Sequence, residues 1–232
     1  MLLSHLPIAN RLLAALPRAD FLRLAAHLDL QDLKVGQILN DAAGTSLYVY
    51  FPSSALLSFV TLVDGCKEFA VALVGPEGMS NVACALGSQT SSFRTQVEST
   101  GQALRMKSAL FVSEFRKCSA LHDVVLKYVL SLTLQMAQTA ACNRYHAIDR
   151  RLARWLLMTR DRLSSNHFYM THEMLGQLMG VRRVGVTNAA LALKERNLID
   201  YSRGDIDITN GRGLQDAACS CYHLLEGRHG QR

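Results

Sequence analysis

Between Thr171 and Ile199 the chain reads THEMLGQLMGVRRVGVTNAALALKERNLI, and this stretch leaves the backbone little choice. Two runs of helical apolar period are joined by a tight turn. Gly176 stands where two closely crossing helices need a residue without a side chain, and Gly180 supplies the positive φ that the turn requires. Thr171 suits the N-cap of the first helix, and Glu173 in its first turn complements the helix dipole. Leu175, Met179, Val181, Val186 and Ala189 are the positions expected to face a shared core. Arg182, Arg183, Thr187 and Asn188 are then left on the outer face of the second helix. The pattern predicts a helix-turn-helix. An ordinary helical hairpin with solvated charges is the plain alternative.

The residues that follow weigh against that alternative. Ile199 and Tyr201 alternate with polar residues, as do Ile206 and Ile208, and Ser202-Arg203-Gly204-Asp205 lies between the two runs. This is a β-hairpin signature. A hairpin directly after a helix-turn-helix is a wing, with Arg203 at its tip placed to reach a phosphate. Arginine can bond guanine O6 and N7 bidentately, and asparagine can do the same for adenine. The second helix is therefore expected to enter the major groove of duplex DNA.

Charge is distributed in keeping with this reading. The chain has 232 residues and a net charge of +6; from Asn143 onward it holds 14 Lys and Arg against 9 Asp and Glu, whereas the first 142 residues hold 11 against 10. The excess lies where phosphates would need neutralising. No stretch reaches the roughly 18 apolar residues of a membrane span, and the N-terminus, broken by Pro7, Arg11, Pro17 and Arg18, lacks the layout of a signal peptide. A cytoplasmic location and no membrane partner are expected.

Four segments follow one another. Up to about His27 the period is helical. From about Asp29 to Met106 short apolar runs, among them 47–51, 55–63 and 69–74, alternate with turn signals such as Asp64-Gly65 and Gly75-Pro76-Glu77-Gly78. Many short strands at this spacing predict a β-sandwich or barrel. A long helix without Gly or Pro is expected from Leu121 to about Tyr145. It carries two apolar stripes, one through Leu121, Val125, Tyr128, Leu132 and Met136, the other through Leu126, Leu130, Leu134, Ala137 and Ala141. A solvent-facing helix needs one stripe. The second is explained by a second copy of the same helix or by burial within one protomer. A further helix is expected from Ile148 to near Leu163, and a last one from Leu214 to Leu225.

The six cysteines, Cys66, Cys84, Cys118, Cys142, Cys219 and Cys221, include no CxxC pair. Cys219 and Cys221 lie two apart on the expected last helix, so their thiols should diverge, and no metal ligand set is expected. Reduced buried thiols fit a cytosolic chain, with redox sensing left open. The sequence holds no HExxH, Walker loop, GxSxG or complete GxGxxG, so no enzyme is expected and no catalytic residue is assigned.

The order of β-domain, long apolar helix and winged helix-turn-helix resembles the Crp/Fnr superfamily of bacterial transcription regulators. The strongest matches are Arg151-Leu152-Ala153-Arg154-Trp155-Leu156-Leu157, Gly176-Gln177-Leu178-Met179-Gly180-Val181-Arg182-Arg183 and Asn197-Leu198-Ile199. The Val-Arg-Arg recognition helix with Ala-Cys-Ser-Cys-Tyr at 218–222 looks like a subgroup of unassigned effector specificity. The resemblance implies an α+β fold: an N-terminal jelly-roll sensor domain over residues 1–118, a dimerisation helix over 119–147 and a winged helix-turn-helix over 148–232. It implies a homodimeric, sequence-specific DNA-binding regulator with a near-palindromic operator and RNA polymerase as a further partner. An effector-binding module whose winged helix makes protein contacts is the alternative.

Position by position, the resemblance gives Arg183 the role of a base-contacting arginine. Val184 stands where cyclic-AMP regulators have a glutamate, and Asn188 where they have another arginine, so their operator cannot be carried over; Val184 is left to touch a thymine methyl or to be half buried. Thr171, Arg182, Arg183, Val184, Thr187, Asn188 and Arg203 make up the expected DNA contacts. In the sensor, Arg94-Thr95 resembles the family's phosphate-binding Arg-Ser pair. Aligned on the turn at Gly78, Ser80 stands where the ribose-binding glutamate would be, with Glu77 three positions off. Gly78, Ser80, Arg94 and Thr95 are thus the expected effector positions, although the missing carboxylate disfavours a cyclic nucleotide. An iron–sulfur cluster is disfavoured too, because the family's cysteine cluster lies near the N-terminus and the first cysteine here is Cys66. His5, His27, His122 and His146 single out no haem ligand. The effector is left unassigned, as is whether one is needed.

Overall fold

The computed structural model describes residues 8–63, 67–91 and 93–224; His5, the Asp64-Gly65 turn, Cys66 and Leu225 lie outside them. The chain forms two compact units. One runs up to Phe59 and resumes over Val74–Leu130, and the other takes Val60–Leu73 and everything from Ser131 onward.

In the first unit two short helices, α1 (Arg11–Ala14) and α2 (Arg18–Ala25), precede the strands. Asn10 fixes α1 from both sides. Its Oδ1 accepts from the Leu13 amide, and its Nδ2 donates to the carbonyls of Pro52 and Gly78, each at 2.9 Å. The strands are β1 (Asp29–Leu33), β2 (Ile38–Asn40), β3 (Tyr48–Pro52), β4 (Leu56–Val63), β5 (Lys67–Val74), β6 (Arg94–Ser99) and β7 (Gly101–Lys107). They form two antiparallel sheets, of order β1-β7-β3 and β2-β6-β4-β5. The spacing of the turns predicts such a pair of packed sheets, and the jelly roll is what the family resemblance implies. Leu33, Val49, Phe51, Leu57, Val97 and Met106 fill its interior. Helix α3 (Ser108–Lys117) adds Phe111, whose ring lies 6.2 Å from that of Phe51.

The long helix starts two residues ahead of the expected Leu121. Cys118 takes extended dihedrals and separates α3 from α4 (Ser119–Tyr145). Along α4 the stripe through Leu121, Val125 and Leu132 is buried, whereas Leu126 and Leu130 of the other stripe remain 41% and 61% exposed.

In the second unit α5 (Ile148–Leu163) is the central beam. Residues 151–159 are buried without interruption, because α6 (His172–Met179), α7 (Arg183–Glu195), α8 (Gly211–Ala217) and β8 (His167–Tyr169) all pack on it. The wing consists of β9 (Ile199–Ser202) and β10 (Asp205–Ile208). β8 joins them as a third strand in the order β8-β10-β9. Strand β8 is not legible in the sequence, since three residues are too few to show an alternation. The last helix differs as well: α8 starts at Gly211, stops at Ala217, and gives way to non-helical backbone before a final turn over 221–224.

Candidate nucleic-acid interface and a buried thiol cluster

The helix-turn-helix is built by the devices its sequence suggests. Thr171 has extended dihedrals and its Oγ1 accepts from the Met174 amide at 3.2 Å. Gly180 ends α6 at φ +63, in the left-handed region where glycine is favoured. A Cβ on Gly176 would stand 3.0 Å from the Val181 carbonyl oxygen, so a side chain there would press the turn apart by a few tenths of an ångström. Leu175, Met179, Val186 and Ala189 are buried as expected, and Val181 is half-buried.

The first turns of α7 face solvent. Arg182, the N-cap, and Arg183, Val184 and Asn188 are all exposed, Val184 by 61%. The half-buried alternative for Val184 therefore does not hold. Thr187 departs from the expectation. It is half-buried, its hydroxyl donates to the Arg183 carbonyl at 3.1 Å, and His172 Nδ1 lies 3.1 Å from the same oxygen. Thr187 thus ties α6 to α7, and His172, absent from the expected set, is part of that tie. Burial and the nearby Arg183 charge hold the His172 pKa below its ordinary value and so favour the neutral ring.

Arg203 is exposed at the wing tip, where φ is +51 at Arg203 and +98 at Gly204. Two successive positive φ values are the mark of a tight hairpin turn. Only glycine fits the second position, because a Cβ there would meet the Tyr169 ring at 2.6 Å. Lys194 pairs with Asp200 at 2.5 Å and ties the end of α7 to β9.

Of the four expected effector positions, Ser80 and Gly78 are engaged within the jelly roll. Ser80 is fully buried, and its Oγ accepts from the Tyr50 amide at 2.9 Å. Gly78 lies beneath the ring of Tyr128, whose hydroxyl donates to the Met79 carbonyl at 3.0 Å. Arg94 Nε is 2.9 Å from Asp41, and Thr95 is buried. None of them lines the cleft of about 650 Å³ bordered by Tyr48, Cys84, Lys107, Ser108 and Arg116. Deeper in the unit, burial raises the Glu98 carboxyl to about 7, opposed by a 2.6 Å hydrogen bond from Ser58.

A second group of reactive side chains lies in the helix-turn-helix unit. Cys142, His146, Cys219 and Cys221 place their ligand atoms within 4.8 Å of one another. The three cysteines are buried, and all five described cysteines carry free thiols. The expectation that Cys219 and Cys221 diverge along one helix fails, because the helix ends at Ala217, Cys219 lies on irregular backbone and Cys221 opens a separate helical turn. A hydrogen bond from Cys219 and the Arg154 charge pull the Cys142 thiol well below its ordinary pKa, against the effect of burial.

Residues 150–217 match the Crp-like helix-turn-helix domain. Solved structures of similar shape span nearly the whole chain. A putative transcriptional regulator of the Crp/Fnr family from Eubacterium rectale has a TM-score of 0.67 at 18% identity, over 91% of this chain and 99% of that one. FixK2 from Bradyrhizobium japonicum has 0.71 at 11% identity, over 83% and 98%. The c-di-GMP responsive regulator CLP from Xanthomonas campestris has 0.65 at 12%, over 83% and 99%. No curated protein matches the chain in sequence.

Proposed function

We propose that this chain, which carries a Crp-like helix-turn-helix domain within the Crp/Fnr fold, is a homodimeric transcription regulator that reads duplex DNA with α7. The observation that carries the reading is the exposed group Arg182, Arg183, Val184 and Asn188 on the first turns of a helix whose opposite face is locked into a core. Arg183 reads a guanine, Asn188 an adenine, Val184 packs on a thymine methyl, and Arg203 holds a phosphate beside them. Thr171 and Thr187 position the two helices.

Dimerisation falls to α4. Leu126 and Leu130 leave an apolar stripe in water on a helix whose other stripe is already covered. A second α4 is the partner that such a repeat fits, and a two-fold axis would give two recognition helices in register. RNA polymerase contact and a cytoplasmic location belong to the same reading; no helix among the described residues is long and apolar enough to cross a membrane.

Control by an effector would pass through a buried network in the second unit. Gln135 on α4 donates to the Leu73 carbonyl at 3.1 Å and accepts from the Leu73 amide at 3.2 Å. Arg162 Nη2 on α5 donates to the same Gln135 Oε1 at 3.3 Å. A strand continuous with the sensor sheet is so tied to the beam that carries the recognition helix. A ligand shifts this arrangement only through its difference in affinity for two states.

Selection of bound sequences from a random duplex pool tests the function. The expected product is a near-palindrome with half-site centres about 34 Å apart, one helical turn. A pool that yields no enriched motif, at low salt as well as high, would refute it.

A further inference from the structure

We propose that Cys142, His146, Cys219 and Cys221 form a closed site for one zinc-type divalent ion, a role apart from DNA reading. The four ligand atoms lie close enough to converge on one ion. Cys142 Sγ and Cys219 Sγ are 3.4 Å apart, and Cys221 Sγ is 3.5 Å from His146 Nδ1. Zinc–sulfur bonds of about 2.3 Å and zinc–nitrogen bonds of about 2.0 Å require ligand edges of roughly 3.5–3.8 Å. Two of the six edges are within a few tenths of an ångström of these values, and the widest, no more than 4.8 Å, has to close by up to about 1 Å. The corner irons of an iron–sulfur cubane each take their own thiolate, which would hold the sulfurs wider apart than this group does.

Backbone geometry explains how four ligands converge. Cys142 and His146 are four apart, and the His146 amide donates to the Cys142 carbonyl at 3.1 Å, so the helical repeat of α4 continues to the second ligand and both point the same way. Cys219 and Cys221 follow the end of α8, and the break over 218–220 before the helical turn that Cys221 opens lets residues two apart turn to one point.

Electrostatics supplies a separate argument. Arg154 is 0% exposed, donates to Thr139 at 3.0 Å and acts by its charge on the Cys142 thiol; no carboxylate pairs with it among the described residues. A buried guanidinium needs negative charge close by, and the thiol cluster is what stands beside this one. Three thiolates, a neutral imidazole and a divalent cation sum to one negative charge beside it. Gln138 completes the outer shell, its Nε2 donating to Cys221 Sγ at 2.9 Å. Sulfur and imidazole ligands suit zinc and not magnesium or calcium. Four protein ligands leave no open position, which makes the ion a structural clamp between the end of α4 and the segment after α8. Binding exchanges the thiol protons for the ion and releases them to solvent, with no change of oxidation state.

Cobalt(II) titration of the reduced, chelator-stripped full chain is the test. One equivalent should give the visible absorption of tetrahedral cobalt and sulfur-to-cobalt charge transfer, zinc should displace it, and zinc should raise the melting temperature. Cys219→Ser and His146→Ala should lose that spectrum, Gln138→Ala should weaken binding by about 10-fold, and Cys84→Ser, in the other unit, should change nothing. Native mass spectrometry of the unaltered protein with added zinc gives a readout independent of whether the variants fold. A chain that takes up no zinc in that spectrum overturns the proposal. So does Cys219→Ser with an unchanged cobalt spectrum, or a metal-free protein that only forms a Cys142–Cys219 disulfide in air.

Discussion

Arg183 and Glu98 show how differently two charged side chains are used in this chain. Arg183 is exposed on the first turn of α7 and pairs with no carboxylate among the described residues, so its guanidinium is free to meet a base edge. Arg183→Ala should cost about 1–3 kcal/mol of operator affinity and relax preference at one base pair; equal loss on every sequence, measured by competition binding, would assign it to phosphate instead. Glu98 is buried, and burial raises its carboxyl to about 7. A raised carboxyl means the folded state holds a proton that the unfolded chain, with its carboxyl near 4.5, has already lost. Stability contributed by this group is complete below the unfolded value and falls as pH rises from there through about 7. The expected loss is about 3 kcal/mol. Denaturant melts between pH 5 and 8 should therefore show a slope that Glu98→Gln removes, and an unchanged slope would mean the carboxyl is ionised in the fold.

Among the elements, α4 has the least ordinary composition. A helix with one face in a core normally turns charge to the other, yet here Leu126, Leu130, Ala137 and Ala141 are exposed in sequence-spaced succession. Replacing Leu130 by glutamate should separate the protomers, since a two-fold axis counts the change twice and each buried leucine is worth about 1.5–3 kcal/mol. Sedimentation equilibrium of Leu130→Glu should give a monomer with an intact circular dichroism spectrum; a dimer of undiminished strength would place the interface elsewhere. Helix α6 and helix α7 were legible from sequence because their caps, their glycines and their apolar period lie within a few residues of one another. Thr187 was not, because its spacing put it on the outer face while its hydroxyl is claimed by His172, fifteen residues away.

At the scale of the whole molecule, the reading requires two recognition helices fixed to one another. Inserting about five base pairs, half a helical turn, between the half-sites should turn one of them to the far side of the duplex and reduce affinity to that of a single head. Unchanged affinity in a mobility shift would show heads that bind independently. The division into a β-rich part, a long helix and a winged helix-turn-helix was readable from the order of periods along the chain. The compact units nevertheless part inside α4, after Leu130, and the second includes residues 60–73 of β4 and β5, a grouping that no local period contains.

What the amino-acid order determined alone was everything decided by neighbours: the caps and glycines of the helix-turn-helix, the Arg203-Gly204 turn, the strand alternation and the two stripes of α4. Hydrogen bonding and apolar period act within one or two turns, so a short window of sequence suffices to specify them. Tertiary structure alone decided that Ser80 and Gly78 serve the sheet and Tyr128, that β8 completes the wing, and that Cys142 meets Cys219 across 77 positions. The reason is that such meetings depend on how the intervening chain packs, and the spacing of two residues along a sequence carries no measure of their distance once burial has folded it back.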